Sequence, residues 1–279
     1  MRDSFLKKEL IRVRGQQLII NNLINKKKFK IPIHLALGHE ALSVAIAQNF
    51  SINDKLLLTH RNIHYHLSLS KTLNSSIEAY ELKRKGLESG KYGSMNLINK
   101  KKGIIYTSSI LGNNLPVSLG VAYAQKNKKN VVFVVTGDGA IEEGSFWESC
   151  VLAKSLNLKL IFAVENNDWS MYSSIKDRRS KINLKKFADS IGLKYLYLES
   201  NDVVDYFKKL KSYKQFIKEN SVPGIVEVKL HTLGFKTIQR ENKKKFINYH
   251  HGGIKDLKFY DNIILSKSKK DPIFVMKSS

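Results

Sequence analysis

Residues 131–136, VVFVVT, run directly into Gly137-Asp138-Gly139, and KLIFAV at 159–164 runs into Glu165-Asn166-Asn167. Runs of this length that are apolar throughout, rather than alternating, read as strands buried on both faces, which belong to parallel sheets covered by helices. Between and before them, Asn114–Ala124 carries Leu115, Leu119 and Ala122 or Tyr123 on one helical face, and Glu142–Ser155 reads as a helix with Phe146, Cys150 and Val151 turned inward. The order helix, strand, turn, helix, strand, turn is a parallel α/β unit. The expected fold class is therefore α/β, a parallel sheet flanked by helices. Helical apolar spacing also marks Asp3–Ile24, Glu40–Gln48 and, more weakly, Ile77–Arg84, and Gly224–Leu230 is a further strand candidate. Neither an internal repeat nor a Pro/Ser-rich linker divides the chain. One binding domain over residues 1–257 with a basic C-terminal tail over 258–279 is the simplest organisation.

Ligands of open α/β sheets sit outside the carboxyl ends of the strands, and GDG and ENN both lie at such ends. Gly137 and Gly139 let backbone approach a ligand closely, and the helix start after them offers N–H groups to an anion. Asp138 between them would repel a bare phosphate. The conflict disappears if Asp138 holds a hard divalent cation that bridges to phosphate oxygens, as Mg²⁺ commonly does. Asn167 supplies a neutral amide oxygen from the next strand end, and the Trp169 carbonyl a third oxygen. Either turn alone is only a turn, since Gly and Asn suit any; together, each ending a buried strand, they point to a metal–diphosphate site.

Composition limits the alternatives. With 48 Lys plus Arg against 24 Asp plus Glu the formal charge is +24, but the lysines fall in scattered clusters at 26–28, 100–102 and 243–245, without a zinc finger, helix-turn-helix or aromatic platform for bases. Steering of an anionic cofactor, substrate or acidic partner is the expected use of that charge. Cys150, the single cysteine, excludes an internal disulfide and any multi-cysteine metal site, and a reducing, cytoplasmic setting is expected. No apolar run reaches the roughly 18–20 residues of a membrane span. Cys150 itself reads as helix core, and Glu142, Glu143 and Glu165 read as capping or solvated groups.

The stretch TGDGAIEEGSFWESCVLAKSLNLKLIFAVENNDWSMYS resembles the diphosphate-binding signature of thiamine diphosphate enzymes. HLALGHEA from His34, LLTHR from Leu57, GSMNL from Gly93 and SSILGNNLPVSLGVA from Ser108 resemble, in the same order, the α subunit of the first component of 2-oxo acid dehydrogenases. The resemblance covers about residues 5–252. It implies the thiamine diphosphate-binding fold, with Asp138, Asn167 and the Trp169 carbonyl as Mg²⁺ ligands and the N–H groups of Gly139 and Ala140, next to Gly137, on the diphosphate. His60 and Arg61 match a Tyr-Arg pair that contacts the diphosphate, Ser109 and Leu111 match positions whose backbone meets the aminopyrimidine, and His34 matches a histidine near the reacting carbonyl. Beyond residue 224 the chain departs from this pattern: VEVKLHTLGF and, after a basic insert, NYHHG resemble the N-terminal part of transketolases. There a His-Gly histidine contacts the diphosphate, a role carried to His251, with His250 second.

The resemblance also implies a partner. Activation of the cofactor in this family uses a glutamate on a second domain, for which this chain has no convincing place, so a separate β-like subunit in an α2β2 assembly is expected, with a lipoyl-bearing acyltransferase as a further partner. The expected reaction is decarboxylation of a pyruvate-like 2-oxo acid and transfer of the acyl or aldehyde unit, oxidatively to lipoamide. A transketolase-like transfer of a two-carbon ketol unit between sugars is the rival, and a small stand-alone synthase remains open. A non-catalytic nucleic-acid-binding protein on the same fold is the third reading, against which the intact Asp138 and Asn167 argue.

Overall fold

A computed structural model describes residues 2–70, 72–240 and 243–278. Six parallel strands form the central sheet: β1 (Lys55–Thr59), β2 (Ile104–Ser108), β3 (Val132–Gly137), β4 (Leu160–Asn166), β7 (Lys194–Leu198) and β8 (Gly224–Lys229). Between them in sequence lies a short antiparallel pair, β5 (Trp169–Ser170) and β6 (Ser173–Ser174), and after them a hairpin of β9 (Phe235–Arg240) and β10 (Lys243–Asn248). The sheet order is β2-β1-β3-β4-β8-β7. The expected parallel α/β class is what the chain adopts.

The unbroken apolar runs follow from burial on both faces. Phe133, Val135, Ile161 and Ala163 point into one core with the helices Arg2–Asn25, Glu40–Asn49 and Val203–Asn220. Val132, Val134, Leu160, Phe162 and Val164 point into a second core with Asn114–Ala124, Gly144–Ser155 and Leu184–Ile191. Each fully buried side chain of this kind contributes about 2 kcal/mol, so neither face can be left open. The first helix buries Leu6, Leu10, Val13, Gln17 and Ile20, a stripe spaced by threes and fours.

Several local expectations shift. The helix at Asn114–Ala124 has the expected bounds and buries Leu115, Leu119 and Ala122, while Tyr123 is exposed. The stretch after GDG is a short 3-10 turn, Ala140–Glu142, followed by a helix at Gly144–Ser155, which buries Phe146 and Cys150 but exposes Val151. The helix expected at Ile77–Arg84 runs instead over Asn74–Tyr80.

Residues 258–278 fold back onto the first helix. Arg14, fully buried, donates to Glu40 at 2.6 and 3.1 Å and to Asp271 at 3.1 and 3.3 Å, and the helix Pro272–Ser278 buries Ile273 beside it. Among the described residues no helix is long and apolar enough to cross a membrane.

Chain order places the site. After β1 the chain moves outward to β2, then returns on the other side of β1 with β3, so the strand order reverses between β1 and β3. A crevice opens at the carboxyl ends of the strands at such a point.

Candidate active site

A cleft of about 220 Å³ opens there, lined from the ends of β1 (His60, Arg61), β2 (Ser109, Leu111), β3 (Gly137 to Ala140) and β4 (Glu165, Asn167), with Trp169, His34 and His250 closing its sides. Every cofactor-binding and metal-ligating residue expected from the sequence lines it. His34 and His250 do too, and His251 stands beside them, its ring centroid 5.6 Å from that of His34.

Register brings the two turns together. Gly137 pairs with Glu165 across the β3–β4 ladder, and the Asp138 N–H donates to the Glu165 carbonyl at 3.3 Å. The Asp138 carboxylate is 2 % exposed and accepts from Arg178 at 2.9 Å. Burial raises its carboxyl, and Arg178, with the backbone N–H groups of Asn167 and Asp138, opposes that rise. The Asn167 side chain is held on both sides: its Oδ1 accepts from the Trp169 N–H at 3.0 Å and its amide donates to Thr232 at 3.2 Å. Gly139 has an ordinary φ of −76°; what it needs is room, since a Cβ there would stand 2.6 Å from the Ser170 hydroxyl. The glycine thus serves the close approach of the GDG turn to the β5 segment, a role the sequence reading assigned to ligand approach alone.

The histidine side is assembled by Arg61 and Tyr249. Arg61 donates to the Leu35 carbonyl and, at 3.3 Å, to that of His250. The Tyr249 hydroxyl accepts from the Leu35 N–H at 3.1 Å and donates to the Gly252 carbonyl at 2.7 Å. These bonds lay residues 249–252 along residues 33–35 and bring the imidazoles edge to face: ring centroids are 4.7 Å apart for His34–His60, 4.9 Å for His34–His250 and 5.2 Å for His250–His251. Burial, then the neighbouring His60 and Arg61, drive the His34 imidazole far below its ordinary range. His60 is pulled down to about 3, again by burial first and Arg61 second. Both rings are neutral near pH 7, and His34 Nδ1 and the Thr136 hydroxyl are buried without a hydrogen-bond partner.

Glu165 corrects a sequence expectation. It is neither a cap nor solvated: 5 % exposed, its carboxylate accepts from Tyr65 at 2.8 Å, faces His64 Nε2 at 3.0 Å and faces His39 Nδ1 at 3.3 Å. Burial alone would raise this carboxyl; the two imidazoles outweigh burial and hold it ionised, well below the usual carboxylate range. The Thr232 hydroxyl lies 2.9 Å from His39 Nε2, so a neutral His39 can accept there and donate its Nδ1–H to Glu165. Glu142 is not free either, forming ion pairs with Arg178 at 3.1 Å and Arg179 at 2.9 Å, whereas Glu143 occupies the cap position of the following helix.

Sequence reasoning missed Arg178, His39, His64 and Tyr65 as parts of the site. His39 lies inside HLALGHEA and was legible as a polar residue in a matched stretch; Arg178 follows the turn segment by no recognisable spacing.

The family described as dehydrogenase E1 component matches residues 9–234. Pyruvate dehydrogenase E1 component subunit alpha of Rickettsia prowazekii is 30 % identical over 199 residues, 70 % of this chain and 61 % of that protein. The mitochondrial counterpart of Schizosaccharomyces pombe is 27 % identical over 224 residues, 80 % of this chain and 54 % of its own length. The matches thus span little more than half the length of these relatives. Transketolase from Campylobacter jejuni superposes with a TM-score of 0.55 at 17 % identity, over 82 % of this chain and 38 % of that one, and transketolase from Leishmania mexicana with 0.57 at 16 %, over 80 % and 36 %. At such identities the transketolases share the fold. Given a family match over most of its length, the chain belongs to the dehydrogenase E1 component family.

Proposed function

We propose that this chain is the diphosphate-binding, α-type subunit of a thiamine diphosphate-dependent enzyme that decarboxylates a pyruvate-like 2-oxo acid and passes the acyl or aldehyde unit onward, to lipoamide in the full reaction. The observation that carries this reading is the β3–β4 register, which brings the ends of the two strands together, with the buried Asp138, Asn167 and Trp169 lining one cleft with His60 and Arg61.

The residues fit the group. Asp138, the Asn167 amide oxygen and the Trp169 carbonyl are hard oxygen donors of the kind Mg²⁺ prefers. Arg178 is the countercharge of the buried Asp138, and a divalent cation is the alternative one. Gly139 and Ala140 would present N–H groups to the diphosphate, His60 and Arg61 would face it, and Ser109 and Leu111 would lie along the aminopyrimidine. Thiamine diphosphate supplies a nucleophilic carbon and an electron sink when bound. The chain's own work is to orient that group, to bring His34 and His251 to the substrate and diphosphate, and to exclude water with the apolar part of the cleft. His34 and His60, neutral near pH 7, each offer a ring nitrogen as a hydrogen-bond acceptor and an N–H as a donor.

Leu111, which lines the cleft, is exposed together with its neighbour Ile110, which supports closure by a β-like subunit carrying the activating glutamate, in an α2β2 assembly that serves a lipoyl-bearing acyltransferase in the cytoplasm. Transketolase-like transfer between sugars is the second reading, favoured by the placement of His250 and His251 against His34. Calorimetric titration with thiamine diphosphate and Mg²⁺, of the chain with its partner, tests the first. Mg²⁺-dependent binding that disappears in Asp138→Ala is the expected result. Binding that survives in Asp138→Ala, or is absent from the wild type, refutes the reading.

A further inference from the structure

Beside Asn167, three segments distant in sequence are pinned against one another. The Leu230 N–H donates to the Asn166 carbonyl at 2.9 Å, continuing the β4–β8 ladder past its last pair, Asn166 with Lys229. Three residues on, the Leu233 N–H donates to the Leu37 carbonyl at 2.7 Å. Gly38 lets these strands of chain close up: a Cβ there would stand 2.0 Å from the His231 carbonyl oxygen, and its φ of +98° suits glycine as well. The packing brings together two buried side chains 193 positions apart, His39 and Thr232, with Nε2 and Oγ1 separated by 2.9 Å. Neither residue lines the cleft.

One backbone group sets the direction of the hydrogen bonds that follow. The Trp169 N–H donates to Asn167 Oδ1 at 3.0 Å, so Nδ2 is the end of that amide that faces Thr232, at 3.2 Å. An NH₂ group only donates, hence the Thr232 hydroxyl oxygen accepts from it. The hydroxyl hydrogen is left for His39 Nε2, and the His39 proton sits on Nδ1, 3.3 Å from the Glu165 carboxylate. Glu165 is fixed in its turn by the Tyr65 hydroxyl at 2.8 Å. From Asn167 to Glu165 every donor thus meets an acceptor, and a reversed Asn167 would set its NH₂ against the Trp169 N–H. Amides bind hard cations through oxygen, and Oδ1 keeps one lone pair beyond the one given to Trp169.

We propose that Thr232, directed by His39, is a positioning residue for Asn167: it holds the amide nitrogen and so keeps the amide oxygen available to the cation. The proposal rests on the Mg²⁺ role of Asn167 given above and extends it to two residues outside the cleft. Partners of this kind orient a ligand without touching the ion, and their loss weakens metal binding about 10- to 100-fold.

Calorimetric titration of the chain with its partner, at saturating thiamine diphosphate, gives the Mg²⁺ affinity. Thr232→Val, similar in size but without the hydroxyl, should weaken it about tenfold or more, and Thr232→Ser should stay within about threefold of wild type. His39→Leu should reproduce the Thr232→Val loss; should that variant fail to fold, the two Thr232 variants decide. In an Asn167→Ala background, Thr232→Val should add less than about twofold, because a residue acting only through Asn167 has nothing left to position. Undiminished affinity in Thr232→Val, an equal loss in Thr232→Ser, or a full further loss in the Asn167→Ala background overturns the proposal. Hydrogen exchange at the Trp169 amide reports on the same link without metal. It should quicken about threefold or more in Thr232→Val and not in Thr232→Ser, and unchanged exchange in Thr232→Val overturns the proposal. If the wild type binds no Mg²⁺, the functional reading fails, and Trp169 exchange alone decides whether Thr232 positions Asn167.

Discussion

Mild acid should destabilise this protein well before its carboxylates titrate. His60 and His66 are held down to about 3 and about 4, mainly by burial, and His34 and His39 are displaced in the same direction for the same reason. The unfolded chain returns each imidazole to about 6.5. Between the two values the unfolded state binds the extra proton, so stability is complete above about pH 6.5 and is lost as pH falls toward the folded value. From pH 7 to pH 5 a histidine that stays neutral in the fold loses RT ln[(1 + 10^1.5)/(1 + 10^−0.5)], about 2 kcal/mol. His60 and His66 together lose about 4 kcal/mol by this arithmetic, and His34 and His39 add to it. An unfolding entropy of about 2.1 cal/mol/K per residue over this chain gives about 0.6 kcal/mol per degree, hence a fall in Tm of about 6 °C or more. Scanning calorimetry at pH 7, 6 and 5, without added cofactor, measures it. His66→Gln, which removes a ring that meets the Leu97 carbonyl at 3.1 Å, should recover about 3 °C of the pH-dependent loss. A total shift under about 2 °C, or an unchanged pH dependence in His66→Gln, refutes the argument that buried neutral histidines govern acid stability.

Glu165 belongs to a different window: its folded carboxyl lies below the unfolded value, so its contribution is present above about pH 4.3 and lost below it. Glu165→Gln replaces an acceptor of three side-chain contacts by an amide whose NH₂ must face a donor, at a cost of about 1.5–3 kcal/mol; a Tm at pH 7 within 1 °C of wild type would contradict it. Asp271→Asn leaves the buried Arg14 with Glu40 alone. A loss of about 3 kcal/mol, or about 5 °C, is expected in thermal melts, and no loss would mean that residues 258–278 contribute nothing to the fold. Burial pushes the Cys150 thiol up and encloses it, so a thiol reagent should label it only at the rate of unfolding; rapid labelling of the native protein would show that the helix Gly144–Ser155 opens locally.

The sequence by itself determined the parallel α/β class, because runs such as VVFVVT can satisfy both their faces in no other common way, and it determined the two polar turns at the strand ends, because turn chemistry is local. It also placed His34, His60, Arg61, Asp138 and Asn167 in one crevice, through the ordered stretches that match the dehydrogenase family. It did not reveal β1, β2 and β7, which are five residues each and too short for apolar periodicity to separate from their surroundings. Nor did it reveal which carboxylates are buried. Glu165 reads as an ordinary polar residue until His39, His64 and Tyr65, the nearest of them 100 positions away, converge on it. Arg178 meets Asp138 across 40 residues, and Arg14 meets Asp271 across 257. Periodicity and turn preference act within a few residues along the chain. Burial of a charge is settled only when distant elements pack around it, because its desolvation must be offset by partners that tertiary structure alone can bring within hydrogen-bonding distance.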